Sequence, residues 1–376
     1  MKDSKTINLK DLKRIVVKVG TSILTDSRGI LEVSHISDIV EDLFRLRRFG
    51  LEVVLVTSGA IGAGVERLKL KRRPQKISLK QAAAACGQSR LMHIYEDLFF
   101  KHSQEVAQVL LTHRDLSERK SHLNARETLL VLLQHGIIPI INENDTVAFE
   151  EIKFGDNDTL AALVTNLLEA DLLIILTDID GLYEEHSNRE AKGRLIEVIE
   201  EVTDKILNLA GSKSGELSIG GMLAKVQAAQ MATKGGAYVI IANGMKPGIL
   251  TQIFAGEKVG TLFLPQIDRT SRRKCWIGFN LKPSGQLIID DGAKEAILKQ
   301  GKSLLSSGIR EIKGDFERGE AVAVLDLDGR ELARGLTNYS QTELDKIRGK
   351  HSSEIEGILG YKYDDEAIHR DNLVLL

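Results

Sequence analysis

The sequence predicts an α/β protein, a three-layer sandwich on a mostly parallel central sheet, followed by a small β-rich domain. Three observations carry this. From Lys13 to about Leu264, short β-branched apolar runs alternate with longer segments of helical periodicity. The strand runs are apolar along their length, as befits strands covered on both faces. After LFLPQ the texture changes: DRTSRRKCW is basic and polar, and short strand-like runs follow it.

Taken in order, RIVVKV (14–19) is the first strand and 34–48 a helix; LEVVLVT (51–57) is a strand and 78–101 a helix. EVAQVLLT (105–112), helix 121–134, GIIPII (136–141) and helix 158–169 continue the alternation. ADLLIILT (170–177), helix 222–234 and AYVIIA (237–242) complete five or six strands. VAFEEIKF (147–154) alternates apolar with polar and reads as a hairpin. In the tail, QLIID, GIREIKG and EAVAVLDLDGREL read as strands of a second, smaller domain. The boundary falls near 266–284, giving a first domain over 1–266, a linker over 267–283 and a second domain over 284–376. No internal repeat is visible, and with five prolines there is no stiff Pro-rich linker.

A chain of 376 residues exceeds one ordinary core. With 51 basic and 53 acidic residues its formal net charge is −2, so no global field steers it toward nucleic acid or an anionic membrane. Cys86 and Cys275 are far apart, with no CxxC or Cys/His cluster to suggest zinc or a disulfide framework. The polar start MKDSKTINLKDLKR and the short apolar runs LLIIL and LLVLLQHGIIPII lack a signal segment or a membrane span. The expectation is a soluble cytoplasmic protein.

Two common phosphate motifs fail on spacing. Gly301-Lys302-Ser303 resembles the end of a Walker A loop, but Ala296 stands where that loop needs glycine, and Gly301 reads as a helix C-terminus. TSGAIGAG (57–64) has its glycines at 59, 62 and 64, and Arg67 occupies the last-glycine position of a dinucleotide fingerprint.

Four segments remain at strand ends, where this architecture places ligands. Lys18 interrupts the apolar strand RIVVKV and, if buried, needs an anionic partner; an edge-strand lysine reaching water would look the same. Gly20 after it lets a ligand approach the backbone, and Thr21 and Ser22 add hydroxyls. Thr57-Ser58-Gly59-Ala60 enters a helix whose free N–H groups and dipole favour an anion, although an ordinary Ser N-cap accounts for Ser58 equally well. Asn142, Glu143, Asn144 and Asp145 lie on one side of the expected hairpin, and Asp156, Asn157 and Asp158 on the other. Caps and turns need only one such residue each, so two clusters favour a site. Finally, Gly220-Gly221 opens a helix with Lys225 one turn inside, an arrangement that can bring backbone amides and a point charge to one phosphate group, although a loop before a helix with a surface lysine reads the same way. Two lysines, Gly-rich turns at helix starts and a carboxylate cluster suit phosphoryl transfer, which needs positioning and charge neutralisation more than covalent chemistry.

In this order the segments VVKVGTSILT, VTSGAIGAG, PIINEND, FGDNDTLAALV, LLIILTDIDGLY and GGMLAKVQAA resemble the amino acid kinase superfamily and, within it, the glutamate 5-kinases. The tail, from QLIIDDGAKEAIL to GRELARGLTNYSQTEL, resembles a PUA domain. The resemblance covers nearly the whole chain. It implies the amino acid kinase fold, ATP as phosphoryl donor, Mg2+ as its counter-ion with no protein ligand named, L-glutamate as acceptor, and a place at the start of proline biosynthesis. It makes Lys18 and Lys225 the cations that neutralise the migrating group, with Asp158 organising them. Ser58, Asp145 and Asn157 match glutamate-binding positions. Lys18, Gly20, Thr177, Asp178 and the run Ile219, Gly220, Gly221, Met222, Leu223, Ala224, Lys225 match nucleotide contacts. The family commonly has hydroxyl residues where Ile219 and Ala224 stand, which shifts phosphate contacts there to backbone amides. Inhibition by proline near 142–158 and a homo-oligomer, dimer or tetramer, are further implications. The rival readings are a family member with another acceptor, or an RNA-binding protein acting through the PUA-like tail and the basic stretch Arg269, Arg272, Arg273 and Lys274. The tail's Asp290, Asp291, Asp315, Glu317, Asp326 and Asp328 weaken the second.

Overall fold

The computed structural model describes residues 7, 9–26, 29–70, 72, 74–147, 157–184, 193–211, 221–266 and 283–376. The expected hairpin at 147–154, Asp156, Ile219, Gly220, Cys275, most of the linker and its basic stretch lie outside the described residues, apart from Val147. Two compact units form, one from Met1–Asp115 with Asn124–Asp268, the other from Leu116–Leu123 with Arg269–Leu376.

In the first unit the chain runs β1 (Arg14–Val19), α1 (Thr21–Leu24), α2 (Val33–Arg48), β2 (Glu52–Thr57), α3 (Ala60–Arg67), α4 (Ile77–Phe100) and β3 (Val106–Leu111). After α5 (His113–Ser117) and α6 (Arg119–Gln134), of which Leu116–Leu123 belong to the second unit, come β4 (Ile138–Glu143), α7 (Asn157–Leu167), β5 (Leu172–Thr177), β6 (Val198–Ile199) and α8 (Asp204–Gly211). Then follow α9 (Met222–Lys234), β7 (Tyr238–Asn243), α10 (Ile249–Phe254) and β8 (Thr261–Phe263). These strands make one eight-stranded sheet in the order β3-β4-β2-β1-β5-β7-β8-β6. The six strands expected from the sequence pair in parallel with one another. β8 is antiparallel to β7 and parallel to β6, and these two extend the sheet beyond expectation because runs of two and three residues carry no periodicity to read.

β1 lies between β2 and β5, with Lys18 level with Val56 and Ile175. Its alternation puts Ile15, Val17 and Val19 into one core cluster, so Lys18 faces the other side of the sheet. α2 closes the first face with Ile36, Ile39, Val40, Leu43 and Leu46, a 3.6-residue stripe. Its buried Asp42 accepts from the Leu250 N–H at 3.1 Å and the Thr251 hydroxyl at 2.9 Å, tying α2 to the start of α10. The glycines of TSGAIGAG serve geometry and packing. Gly59 turns the chain with φ +102°, and a Cβ on Gly64 would fall 1.8 Å from the Ala83 carbonyl oxygen of α4.

The second unit holds β9 (Gly285–Ile289), α11 (Asp291–Gln300), β10 (Leu304–Leu305), β11 (Ile309–Gly314), β12 (Ala321–Leu325) and β13 (Glu331–Leu336). It ends with α12 (Gln341–Ile347), α13 (Ile355–Leu359), β14 (Glu366–Ile368) and β15 (Leu373–Leu375). Five of these strands form a sheet in the order β11-β9-β12-β13-β15, and β10 pairs with β14. Leu287, Ile289, Val322, Val324, Phe316 and Tyr339 fill its core. Gly301 ends α11 in the left-handed conformation, the helix C-terminus expected in place of a Walker A loop. Ser340 opens α12 with a capping box completed by Glu343. Among the described residues, no helix is long and apolar enough to cross a membrane.

Candidate active site

Lys18 leaves the interior of β1 on the face that α7 covers, and Asp158 meets it from the first turn of that helix. The Lys18 Nζ is 2.6 Å from Asp158 Oδ1, and the Lys225 Nζ, one turn into α9, is 3.1 Å from Asp158 Oδ2. Lys18 is 1% exposed, Asp158 0% and Lys225 6%, so the three charges have one another in place of water. A carboxylate in a helix's first turn also sits well against the N-terminal end of the dipole. Lys18 therefore has the anionic partner that its burial requires and does not reach water from an edge strand. Gly20 keeps the approach open, since a Cβ there would stand 3.6 Å from the Lys18 Nζ.

Asn157, one residue before Asp158, organises a second cluster. Its Nδ2 donates to the Thr57 carbonyl at 2.7 Å, the Ser58 hydroxyl at 2.9 Å and Asn142 Oδ1 at 3.0 Å. Three acceptors for two hydrogens occupy the amide nitrogen fully and leave Asn157 Oδ1 as the atom for a ligand, an acceptor that suits an ammonium group. Ser58 accepts from Asn157, so its own O–H is left to donate, which suits a carboxylate. The helix cap next to it is Gly59 with no side-chain bond, so Ser58 is not an N-cap here. Asn142, 2% exposed, passes its own Nδ2 to Gln88 Oε1 at 2.7 Å. Asp145 lies in the turn after β4 and is half-buried.

Thr177 ends β5 buried and donates to Asp178 Oδ1 at 3.1 Å, while Asp178 is exposed. Gly221 caps α9, and Met222, Leu223 and Ala224 form its first turn before Lys225. Beside Thr177 lie groups that no motif in the sequence marks. Its register partner Asn243 donates to Asp180 Oδ1 at 3.2 Å, and the Lys246 ammonium pairs with the same oxygen at 2.7 Å. That ammonium is the main reason the Asp180 carboxyl is held below the usual carboxylate range. Asp180, Asn243, Lys246, Lys258 and Gly260 line a cavity of about 170 Å³. Asn243 ends the parallel strand β7 and Lys246 lies just past it, a signal the strand-end rule could have used. Gln88 and Tyr95 were missed as well; the burial of Tyr95 pushes its phenol far up from the ordinary value.

The model of the amino acid kinase family matches residues 13–243, and that of the PUA domain matches 285–359. The chain is 53% identical over 363 residues to the glutamate 5-kinase of Thermoanaerobacter sp. (strain X514), covering 96% of this chain and 98% of that one. The chain belongs to the glutamate 5-kinase branch of the amino acid kinase family. The glutamate 5-kinase of Geobacter sulfurreducens is 50% identical over 368 residues, covering 98% of this chain and 99% of that one. Among solved structures, carbamate kinase from Giardia lamblia bound to AMP-PNP superposes with a TM-score of 0.50 at 16% identity, covering 68% of this chain and 100% of that one, a likeness of fold alone.

Proposed function

We propose that this protein transfers the γ-phosphoryl group of ATP to the γ-carboxylate of L-glutamate, giving L-glutamyl 5-phosphate and ADP, the first step of proline biosynthesis. The observation that carries the reading is the buried Lys18–Asp158–Lys225 cluster at the sheet's C-terminal edge, beside an amide and a hydroxyl of matched polarity. The substrate γ-carboxylate is ionised at neutral pH and attacks without a general base. Its oxygen bonds to the γ-phosphorus as the bridging P–O bond breaks, and the electron pair leaves with ADP. Lys18 and Lys225 neutralise charge on the moving group, and Asp158 holds both ammonium groups in register without itself reacting. Ser58 donates to a substrate carboxylate, Asn157 Oδ1 accepts from the α-ammonium, and Asp145 adds a charge-assisted bond to that ammonium.

Lys18, Gly20, Thr177, Asp178 and the segment Ile219 to Lys225 take the nucleotide, and Asn243, the register partner of Thr177, lines the cavity with Lys246. The described residues offer no group of three or more metal-ligating side chains, and Asp158 is already committed to two lysines. Mg2+ would enter as the counter-ion of the ATP phosphates, where it would neutralise charge, and none of the residues named above is assigned to it. The reaction belongs to residues 1–266, with 267–283 as a linker to a PUA domain over 284–376, and proline acts as a feedback inhibitor through the 142–158 region. An ATP-dependent hydroxamate assay with glutamate, with and without proline, tests substrate and regulation together. Phosphorylation that demands another acceptor and ignores glutamate refutes the assignment, and glutamate kinetics unaltered by saturating proline refute the regulation.

A further inference from the structure

Helix α4 places two polar side chains behind the strand ends. Gln88 and Tyr95 stand two turns apart on one face, Gln88 nine-tenths buried and Tyr95 fully so. Tyr95 OH meets Thr57 Oγ1 at 2.8 Å, and Gln88 Oε1 accepts from Asn142 Nδ2 at 2.7 Å. Asn142 Oδ1 in turn accepts from the Glu143 N–H at 2.9 Å and from Asn157 Nδ2 at 3.0 Å. The amides thus donate in one direction, from Asn157 to Asn142 to Gln88, and the Gln88 carbonyl is the terminal acceptor. Together with the Thr57 carbonyl, which also takes the Asn157 NH2, that direction leaves the Asn157 carbonyl oxygen for a ligand.

The register of Gln88 is fixed by its neighbour. A Cβ on Gly87 would lie 1.8 Å from the Ala60 carbonyl oxygen and 2.4 Å from the Gly64 nitrogen. α4 is therefore seated on the backbone of α3 just past Ser58, with Gln88 delivered to Asn142.

We infer that Gln88 is a positioning residue for the amino-acid substrate: it holds Asn142, and through it Asn157, with the Asn157 oxygen turned to the substrate ammonium. This rests on the glutamate reading above. Without the Gln88 acceptor, the buried Asn142 NH2 is left unsatisfied, and turning the amide over sets it against two donors, the Glu143 N–H and Asn157 Nδ2.

The test is steady-state kinetics of the full chain with ATP and glutamate. Gln88→Met keeps length and shape but removes the acceptor; glutamate KM should rise about five- to thirtyfold, with kcat within about threefold and ATP KM unchanged. In an Asn142→Ala background the same substitution should add nothing, since Gln88 acts through Asn142. Gln88→Glu retains an acceptor oxygen and should restore glutamate KM to within about threefold of wild type. Partial unfolding lowers the active fraction, hence apparent kcat, and leaves KM alone. If Gln88→Met does not fold, Gln88→Ala is read by the same criteria. An unchanged glutamate KM, an equal rise in ATP KM, an additive effect on Asn142→Ala, or a Gln88→Glu enzyme as impaired as Gln88→Met overturns the inference. Wild-type enzyme inert toward glutamate refutes the functional reading and takes this one with it; active wild type with unaltered KM in Gln88→Met refutes the role of Gln88 alone.

Discussion

Replacing Asp158 by asparagine removes a charge and almost no volume from a cluster whose side chains are 0% (Asp158), 1% (Lys18) and 7% (Lys225) exposed. The two ammonium nitrogens sit on opposite oxygens of one carboxylate; for a separation on the order of 5 Å and an effective dielectric of about 20, their bare repulsion is about 3 kcal/mol. Breaking a buried pair by removing one partner costs about 3–5 kcal/mol. The expected loss is therefore about 3–4 kcal/mol, short of the stability of most domains, so the variant should fold. Urea denaturation followed by circular dichroism, with wild type and Asp158→Asn side by side, reads the loss. A deficit below about 1 kcal/mol refutes the argument that the three charges depend on one another.

Three further outcomes are expected. Lys225→Ala should lower kcat about 10²- to 10³-fold while glutamate KM moves little, because that charge is used as the phosphoryl group migrates; near-normal turnover removes Lys225 from the mechanism. Asp145→Ala should raise glutamate KM about tenfold or more with kcat within threefold, and an unchanged KM removes it from the pocket. In the second unit, the Glu343 carboxylate beside Tyr361 pushes the tyrosine pKa up to about 12, so alkaline absorbance titration of wild type against Glu343→Gln should show one late phenol fewer in the variant, while the buried Tyr95 stays late in both.

The sheet was legible because its strands obey the local rules, apolar along their length and alternating with helices, and the charged cluster because it breaks one in a way that only a partner repairs. A lysine inside RIVVKV is anomalous in a strand covered on both faces, and the anomaly points to a carboxylate without saying where it lies. Asp158 was within reach of the reading because NEND and GDND exceed what caps require. The glycines of TSGAIGAG show the opposite case. They fit a phosphate-binding turn equally well by sequence, yet Gly64 is needed where α3 and α4 cross, a constraint from a segment some twenty residues away. The short strands β6 and β8 were illegible because two or three residues carry no period.

Gln88 and Tyr95 were hidden for a further reason. Polar residues two turns apart on a long helix read as an exposed stripe, and only the sheet ends behind them make them buried acceptors and donors. The distinction matters for the chemistry, because the groups facing a ligand are set by which hydrogen-bonding atoms the fold has already used. Asn157 could present either end of its amide; the Thr57 carbonyl, the Ser58 hydroxyl and Asn142 take the nitrogen, so the oxygen remains. Ser58 could donate or accept; Asn157 makes it an acceptor there and leaves its proton outward. A donor beside an acceptor, next to two buried ammonium groups, is the polarity that an amino acid with a side-chain carboxylate presents in reverse. Residue identity names the atoms available, and only the direction of the bonds behind them decides which face the substrate.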